Sequence, residues 1–276
     1  MNKQLILFYY YKFYWFWCLF FCRKPHQSKK GYTIGITTFK ERYDILFCDL
    51  IVRLTHAFPK VNIIVAVNGN YNQEIQKEYI KQITSFCQRF SNVKIVSFVE
   101  PQGLSKLWNQ IIINAQDDKI FLFNDDILFN KDIARKIEES GIINEKIALI
   151  DNSFSHFMIN KELIKKVGWF DERFTEIGGE DDDFHVRLEL LNIPLKRYNL
   201  NIFKSYKPSL LVNSYGRDTK KQVGGYSTAN TNFLFTKWEV LNQPFDGSIK
   251  IIKSMGNYWK LKEGMGTPNF YENVKL

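Results

Sequence analysis

Apolar positions along this chain switch repeatedly between a continuous run and a helical stripe. Tyr32 to Thr37 is a short apolar run and predicts a strand. Tyr43 to Phe58 places Ile45, Leu46, Leu50, Ile51 and Leu54 on one face and predicts a helix. Val61 to Val67 reads as a buried strand, closed by Asn68-Gly69-Asn70. An amphipathic helix over Glu74 to Phe90, a strand over Val93 to Val99 and a helix over Ser105 to Ala115 follow. Lys119 to Phe123 reads as a strand, Lys131 to Glu139 as a short helix and Lys146 to Ile150 as a strand. Strands and helices that alternate in this way, with strands apolar throughout, predict an α/β fold: a Rossmann-like, mainly parallel sheet flanked by helices. Ligands in such sheets bind beyond the carboxyl ends of the strands, where Asn68 and Asp126 fall.

The second half is less regular. Lys161 to Val167 and Asp181 to Leu191 read as helices, and Leu195 to Tyr206 as strands. Gly216 to Thr231 is polar, basic and glycine-rich and reads as a mobile loop, before a last helix over Asn232 to Val240. No motif is legible from Asp246 to Leu276, and there is no internal repeat.

The N-terminal pattern is of another kind. Leu5 to Cys22 is apolar except for Lys12, and most of it is Phe, Tyr and Trp. As a helix it would extend roughly 27 Å, a little short of a hydrocarbon core. Lys12 near its middle would cost about 2.5–3.5 kcal/mol in a span, and Trp and Tyr favour the headgroup level. A helix at the membrane interface is the expectation, with a spanning helix as the alternative. Arg23, Lys24, Lys29 and Lys30 follow and place the rest of the chain at the cytoplasmic face. No small-residue cleavage site is evident. A non-native leader from an upstream start codon is a further alternative. Residues 1–28 thus form an aromatic leader with a basic linker, and 29–276 the folded domain.

Net charge is +9, from 38 Lys and Arg against 29 Asp and Glu, which favours anionic partners. No helix-turn-helix or RNA-binding signature accompanies it, so nucleic acid is not an expected partner. The four cysteines, Cys18, Cys22, Cys48 and Cys87, make no Cys-x-x-Cys pair. They read as reduced thiols in a cytosolic environment.

Two acidic groups carry the candidate chemistry. Asn124-Asp125-Asp126 ends the apolar run from Lys119, and a carboxylate pair there can hold a divalent cation. Glu180-Asp181-Asp182-Asp183 opens a helix and can supply a base. Together they point to group transfer from a phosphorylated donor. The plainer readings are a strand-end turn for the first group and a dipole-stabilised helix start for the second, with Asp182 or Asp183 as cap. Arg187 lies one turn beyond Asp183 and is placed to pair with it.

Several segments, in order, resemble glycosyltransferase family 2, the nucleotide-sugar transferases of GT-A fold. Tyr32 to Phe39 resembles the opening donor-binding strand and loop, with Thr37 and Thr38 at its end. Gly103-Leu104-Ser105-Lys106-Leu107-Trp108-Asn109 resembles the Gly-x-Ser-x-x-Trp-Asn helix start under the donor site. Phe123 to Ile127 is similar to the Asp-x-Asp metal segment. Gly168-Trp169-Phe170-Asp171-Glu172-Arg173-Phe174, followed by Gly179 to Phe184, resembles the Gly-x-Phe-Asp-Glu-x-Phe and Gly-Glu-Asp elements. The match covers roughly residues 31 to 192.

The resemblance implies a donor half over about 31–130 and a less regular acceptor-binding half over about 131–276. It implies a Mn or Mg ion on Asp126, and donor contacts from Thr37, Thr38, Asn68, Ser105, Asn109, Asn124 and Asp125. It implies Asp181 as base with Glu180 beside it, and Asp182 toward the acceptor; Trp169 reads either as a ring that stacks on an acceptor sugar or as core. The implied reaction is inverting single displacement, from a nucleotide-sugar, a UDP-sugar favoured, to a glycan or lipid-linked hydroxyl in surface glycan synthesis. Two departures stand out. Val65 to Asn70 has no acid where relatives recognise the base, and no histidine follows position 185 as a further metal ligand. Arg217, Lys220 and Lys221 are candidates to close over the diphosphate. A catalytically silent GT-A relative that binds glycan or tethers partners at a membrane is the alternative. A sugar-1-phosphate nucleotidyltransferase is disfavoured, because Thr37 to Arg42 contains no glycine.

Overall fold

A computed structural model describes residues 6, 9, 10, 12–15, 17, 31–204, 222, 223, 226–241, 259–274 and 276. The basic linker, Cys18, Cys22, Arg217, Lys220, Lys221 and residues 246–258 lie outside the described residues.

The strands are β1 (Thr33–Thr38), β2 (Asn62–Val67), β3 (Val93–Ser97), β4 (Lys119–Asn124), β5 (Ile127–Leu128), β6 (Ile147–Ile150), β7 (Ser153–Asn160), β8 (Lys196–Tyr198) and β9 (Phe203–Lys204). The helices are α1 (Cys48–Ala57), α2 (Gln73–Cys87), α3 (Leu104–Asn114), α4 (Ile133–Ser140), α5 (Lys161–Val167), α6 (Glu180–Leu190) and α7 (Thr228–Lys237). A seven-stranded sheet runs β3-β2-β1-β4-β7-β6-β8. β1, β2, β3 and β4 are parallel, and β7 alone runs antiparallel, between β4 and β6. The expected mainly parallel α/β sheet is therefore present.

Period-two alternation divides the core. Ile63, Val65 and Val67 of β2 point to one face with Phe121 and Phe123, under α1 and α2. Ile64 and Ala66 point to the other, with Ile120, Leu122 and the α3 residues Trp108, Ile111 and Ile112. Each large apolar side chain removed from water contributes about 1.5–3 kcal/mol. Helix starts follow local chemistry. The Asn72 side chain accepts from Glu74 N and Ile75 N at the head of α2, and Asn160 accepts from Glu162 N at the head of α5.

Three elements differ from the expectation. β7 was not predicted, because Ser153, Ser155 and His156 interrupt any apolar run. It is nonetheless an interior strand, with Phe157, Met158 and Ile159 buried. The last helix begins at Thr228, where Ser227 caps it by accepting from Asn230 N, and ends at Lys237, beyond which Trp238 is extended. Trp238–Val240 instead forms β12, antiparallel to β13 (Trp259–Leu261). Within the stretch read as a mobile loop, Gln222–Val223 (β10) and Tyr226–Ser227 (β11) pair as short antiparallel strands. Cys48 and Cys87 are free thiols.

Candidate functional site

Parallel pairing brings the carboxyl ends of β1, β2 and β4 to one edge. Thr37 is in register with Asn124 of β4 and Ala66 of β2, and Thr38 with Val67. Thr38 Oγ1 donates to Asp125 Oδ2 at 2.7 Å, and Thr37 Oγ1 approaches Asn124 Oδ1 at 3.5 Å. The first acidic group and the β1 end therefore form one cluster.

Arg42 completes this cluster. Its Nη1 lies 2.6 Å from Asp125 Oδ1 and 3.7 Å from Asp126 Oδ2. The guanidinium also lies over the Phe39 ring, 4.8 Å from the centroid. Asp125 is buried, and that burial pushes its carboxyl up from the usual range against the opposing pull of Arg42. Asp126 is buried too, and its Oδ1 has no hydrogen-bond partner among the described residues. A buried carboxylate oxygen without a donor is costly unless something supplies positive charge.

Among the described residues no three His, Cys, Asp or Glu side chains converge as a metal cage. Mg and Mn do not require one. Such ions are commonly held by one or two carboxylates together with substrate phosphates. Asp126, with its unpartnered oxygen, fits that kind of site.

The end of β2 leads to the second acidic group through a chain of buried contacts. Asn68 Nδ2 donates to the Gln102 carbonyl at 3.0 Å, and its Oδ1 accepts from Gly69 N and Gln102 N, both at 2.8 Å. These bonds tie the end of β2 to the loop before α3. Gly103 opens that helix against the next element. A Cβ there would sit 2.2 Å from the Phe174 carbonyl oxygen, so only glycine permits the approach. Asn109 then clasps the Gly-x-Phe-Asp-Glu-x-Phe loop. It donates to the Phe170 carbonyl at 2.9 Å and to Glu172 Oε1 at 3.0 Å, and accepts from Phe170 N at 3.1 Å. These bonds hold the loop against α3. Ser105 is fully buried, and its Oγ has no partner among the described residues.

The loop bearing Trp169 to Phe174 is tied down by charge. Asp171 pairs with Arg173 Nη2 and with Lys237 Nζ, each at 2.7 Å. Burial raises its pKa, but the hydrogen bonds from Arg173 and Lys237 outweigh burial and hold the carboxyl below the ordinary range. Lys237 also reaches Asp183 Oδ1 at 2.5 Å. Asp183 accepts from the Trp238 indole at 2.8 Å and pairs with Arg187 at 2.9 Å, the pair expected from helical spacing. Neither Asp182 nor Asp183 caps α6. The cap is Gly179, in the left-handed region at φ 93° that favours glycine, where an added Cβ would lie 3.1 Å from the Phe174 ring. Asn230 fixes the approach, donating to the Gly178 carbonyl at 2.8 Å and accepting from Glu176 N at 3.1 Å.

Glu180 and Asp181 therefore stand at the first turn of a helix whose start is locked. Glu180 is buried, and its Oε2 has no partner among the described residues. Burial, with Asp181 and Asp182 adding, pushes its carboxyl well above the ordinary range. Asp181 is half-buried and Asp182 buried. Trp169 is buried, donates to Asn269 Oδ1 at 3.2 Å and packs edge-on against Tyr271. It lines a cavity of about 650 Å³ with Lys165, Gly168, Thr267, Asn269 and Tyr271. Neither Asp126 nor Asp181 lines that cavity.

Arg42, Asn230, Lys237 and Trp238 were missed by sequence reasoning. Arg42, four residues beyond Thr38, was within reach of the strand-end rule. Lys237 closes an otherwise apolar helix end and gave no signal.

The chain has partial likenesses to known proteins. A family model described as the N-terminal domain of galactosyltransferase matches residues 155–208, from within β7 through β9. The fold itself is a seven-stranded, mainly parallel sheet flanked by helices. Among solved structures, TarS of S. aureus is 14% identical, with a TM-score of 0.42, 57% of this chain and 56% of that chain being covered. The mannosyltransferase PcManGT of Pyrobaculum calidifontis, in complex with GDP-Man and Mn2+, is 11% identical, with a TM-score of 0.48 and coverage of 71% and 62%. GalNAc-T7, with UDP, GalNAc and Mn2+, is 10% identical, with a TM-score of 0.49 and coverage of 75% and 48%. The chain spans less than two thirds of the length of each. No curated protein matches it by sequence.

Proposed function

We propose that this chain is a glycosyltransferase of the family 2 kind. It moves a sugar from a nucleotide-sugar, a UDP-sugar favoured, to a hydroxyl on a glycan or lipid-linked acceptor, in surface glycan synthesis at the cytoplasmic face of a membrane. The observation that carries the reading is Asp126: a buried carboxylate with an unpartnered oxygen, beside Thr37, Thr38 and Asn124 at the carboxyl edge of parallel strands.

Asp126 would hold the divalent cation, Mn or Mg, with the donor phosphates. The bound ion supplies positive charge to the departing diphosphate. Asp125, kept in place by Arg42 and Thr38, orients the segment. The acceptor oxygen attacks the anomeric carbon as the bond from that carbon to the diphosphate oxygen breaks. The nucleoside diphosphate leaves with the bonding pair, and Asp181 takes the hydroxyl proton. The neighbouring Glu180, whose carboxyl is pushed well above the ordinary range by burial and then by Asp181 and Asp182, stands beside that base. The anomeric centre inverts in this single step.

Nucleoside diphosphate release from UDP-, GDP- and dTDP-sugars with Mn is the test. One donor should be turned over, and Asp126→Ala and Asp181→Asn should each abolish the release, Asp181→Asn with donor affinity nearly intact. Full turnover by Asp181→Asn removes the base assignment, and unchanged Mn-dependent donor affinity in Asp126→Ala removes the metal assignment. A second reading, a catalytically silent relative, is favoured by the Arg42 guanidinium, a resident cation on Asp125 and near Asp126. Release no faster from wild type than from Asp181→Asn, for every donor, selects it.

A further inference from the structure

The leader has two unlike faces. Its described residues are helical. On the inner face Trp15 is buried in the core, and its indole N–H donates to the Phe129 carbonyl at 2.6 Å. The Tyr14 hydroxyl donates to Asn130 Oδ1 at 2.9 Å, and Lys12 Nζ meets Asp49 Oδ2 at 2.9 Å. On the outer face Ile6, Tyr9, Tyr10, Phe13 and Trp17 are each between 46 and 66% exposed. Their spacing of three, four, seven and eleven from Ile6 makes a single stripe. Five large apolar side chains side by side are more than scattered surface residues, and such a patch marks an interaction site.

Lys12 was the obstacle to a membrane role when the leader was read alone. Its pairing with Asp49 turns the one charge between Leu5 and Cys22 toward the protein body. The outer stripe therefore carries no charge. Tyr9, Tyr10 and Trp17 combine apolar bodies with polar tips, as suits the headgroup level. Arg23, Lys24, Lys29 and Lys30 follow in the sequence, each adding about 1 kcal/mol near an anionic lipid surface. No helix among the described residues is long and apolar enough to cross a membrane. With Trp15 seated in the core, the leader is suited to lie on a bilayer.

We infer that Ile6, Tyr9, Tyr10, Phe13 and Trp17 form a docking face for a bilayer bearing anionic lipid, and that the same helix braces the segment following Asp126. The bracing is direct, since Phe129 and Asn130 come three and four residues after Asp126. This deepens the membrane placement proposed above and does not use the transfer chemistry.

Sedimentation of the full chain with vesicles tests it, using phosphatidylcholine alone and phosphatidylcholine with phosphatidylglycerol. Binding to the mixed vesicles is expected, and weaker binding to the neutral ones. Tyr9→Ser, Phe13→Ser and Trp17→Ser together should lower partition onto mixed vesicles by about tenfold or more, with the thermal melt unchanged. Trp15→Ala should lower the melting temperature instead. Failure of the full chain to bind mixed vesicles, or equal binding by the triple variant, overturns the inference. So does concentration-dependent self-association that the triple variant abolishes while vesicle binding persists. Any of these outcomes with donor turnover intact leaves the transferase reading standing.

Discussion

Replacing Lys237 by Met removes a positive charge from the most enclosed ion cluster among the described residues and keeps most of the volume. The ammonium contacts Asp171 Oδ2 at 2.7 Å, Asp183 Oδ1 at 2.5 Å and Thr267 Oγ1 at 2.7 Å, and Lys237 is fully buried. The two carboxylate oxygens can then be no more than about 5 Å apart, and at the effective dielectric of protein sites their repulsion is about 3 kcal/mol. Removing one partner from a buried pair costs about 3–5 kcal/mol. Arg173 and Arg187 remain on the two acids and keep the loss toward the lower end. A fall in melting temperature on the order of 10 °C is expected. It should be insensitive to salt, because buried charges are poorly screened. The loop before Glu180 and Asp181 hangs on these acids, so donor turnover should fall as well. Calorimetry and nucleotide release on the same preparations measure both. A melting shift under about 2 °C, with turnover unchanged, would show that the cluster neither holds the fold nor positions the site.

Glu180→Gln reports on the raised carboxyl. The folded protein retains a proton that the unfolded chain releases above about pH 4.3. Wild-type stability is therefore greatest below that pH as regards this group, and declines as pH rises toward the folded value. The Gln variant should lack that decline in urea unfolding series from pH 4 to 8, and parallel curves would refute the assignment. Arg42→Ala should tighten Mn binding to the nucleotide-free protein, since a competing cation leaves Asp125 and Asp126; unchanged affinity by titration calorimetry counts against that role. Gly103→Ala should cost about 1–3 kcal/mol, because the Phe174 carbonyl must move. A wild-type melt would mean that the contact between α3 and the acidic-loop element is loose.

Much of the sheet was legible because its signals are local. Apolar runs at β1, β2 and β4 and the stripes of α1, α2 and α3 depend on residues within one or two turns of each other. The Asp183 to Arg187 pair was legible for the same reason. Asn68 and Asn109 were found as important positions, but their amides turned out to bind backbone from other parts of the chain. β7 escaped because its place between β4 and β6 shields a strand whose own pattern is mixed. Lys237 escaped because a lysine after an apolar stretch ordinarily marks a solvated helix end, and its two acids lie 66 and 54 residues away.

By itself, then, the sequence determined the α/β alternation, the position of each acidic group at an element boundary, and the aromatic character of the leader, since periodicity and capping act between near neighbours. Only the tertiary structure decided which acids face a cation of the protein's own, which amides are committed to backbone, and which side of the leader turns outward. Those outcomes depend on burial and on charges that meet across long stretches of chain, and no local pattern encodes them.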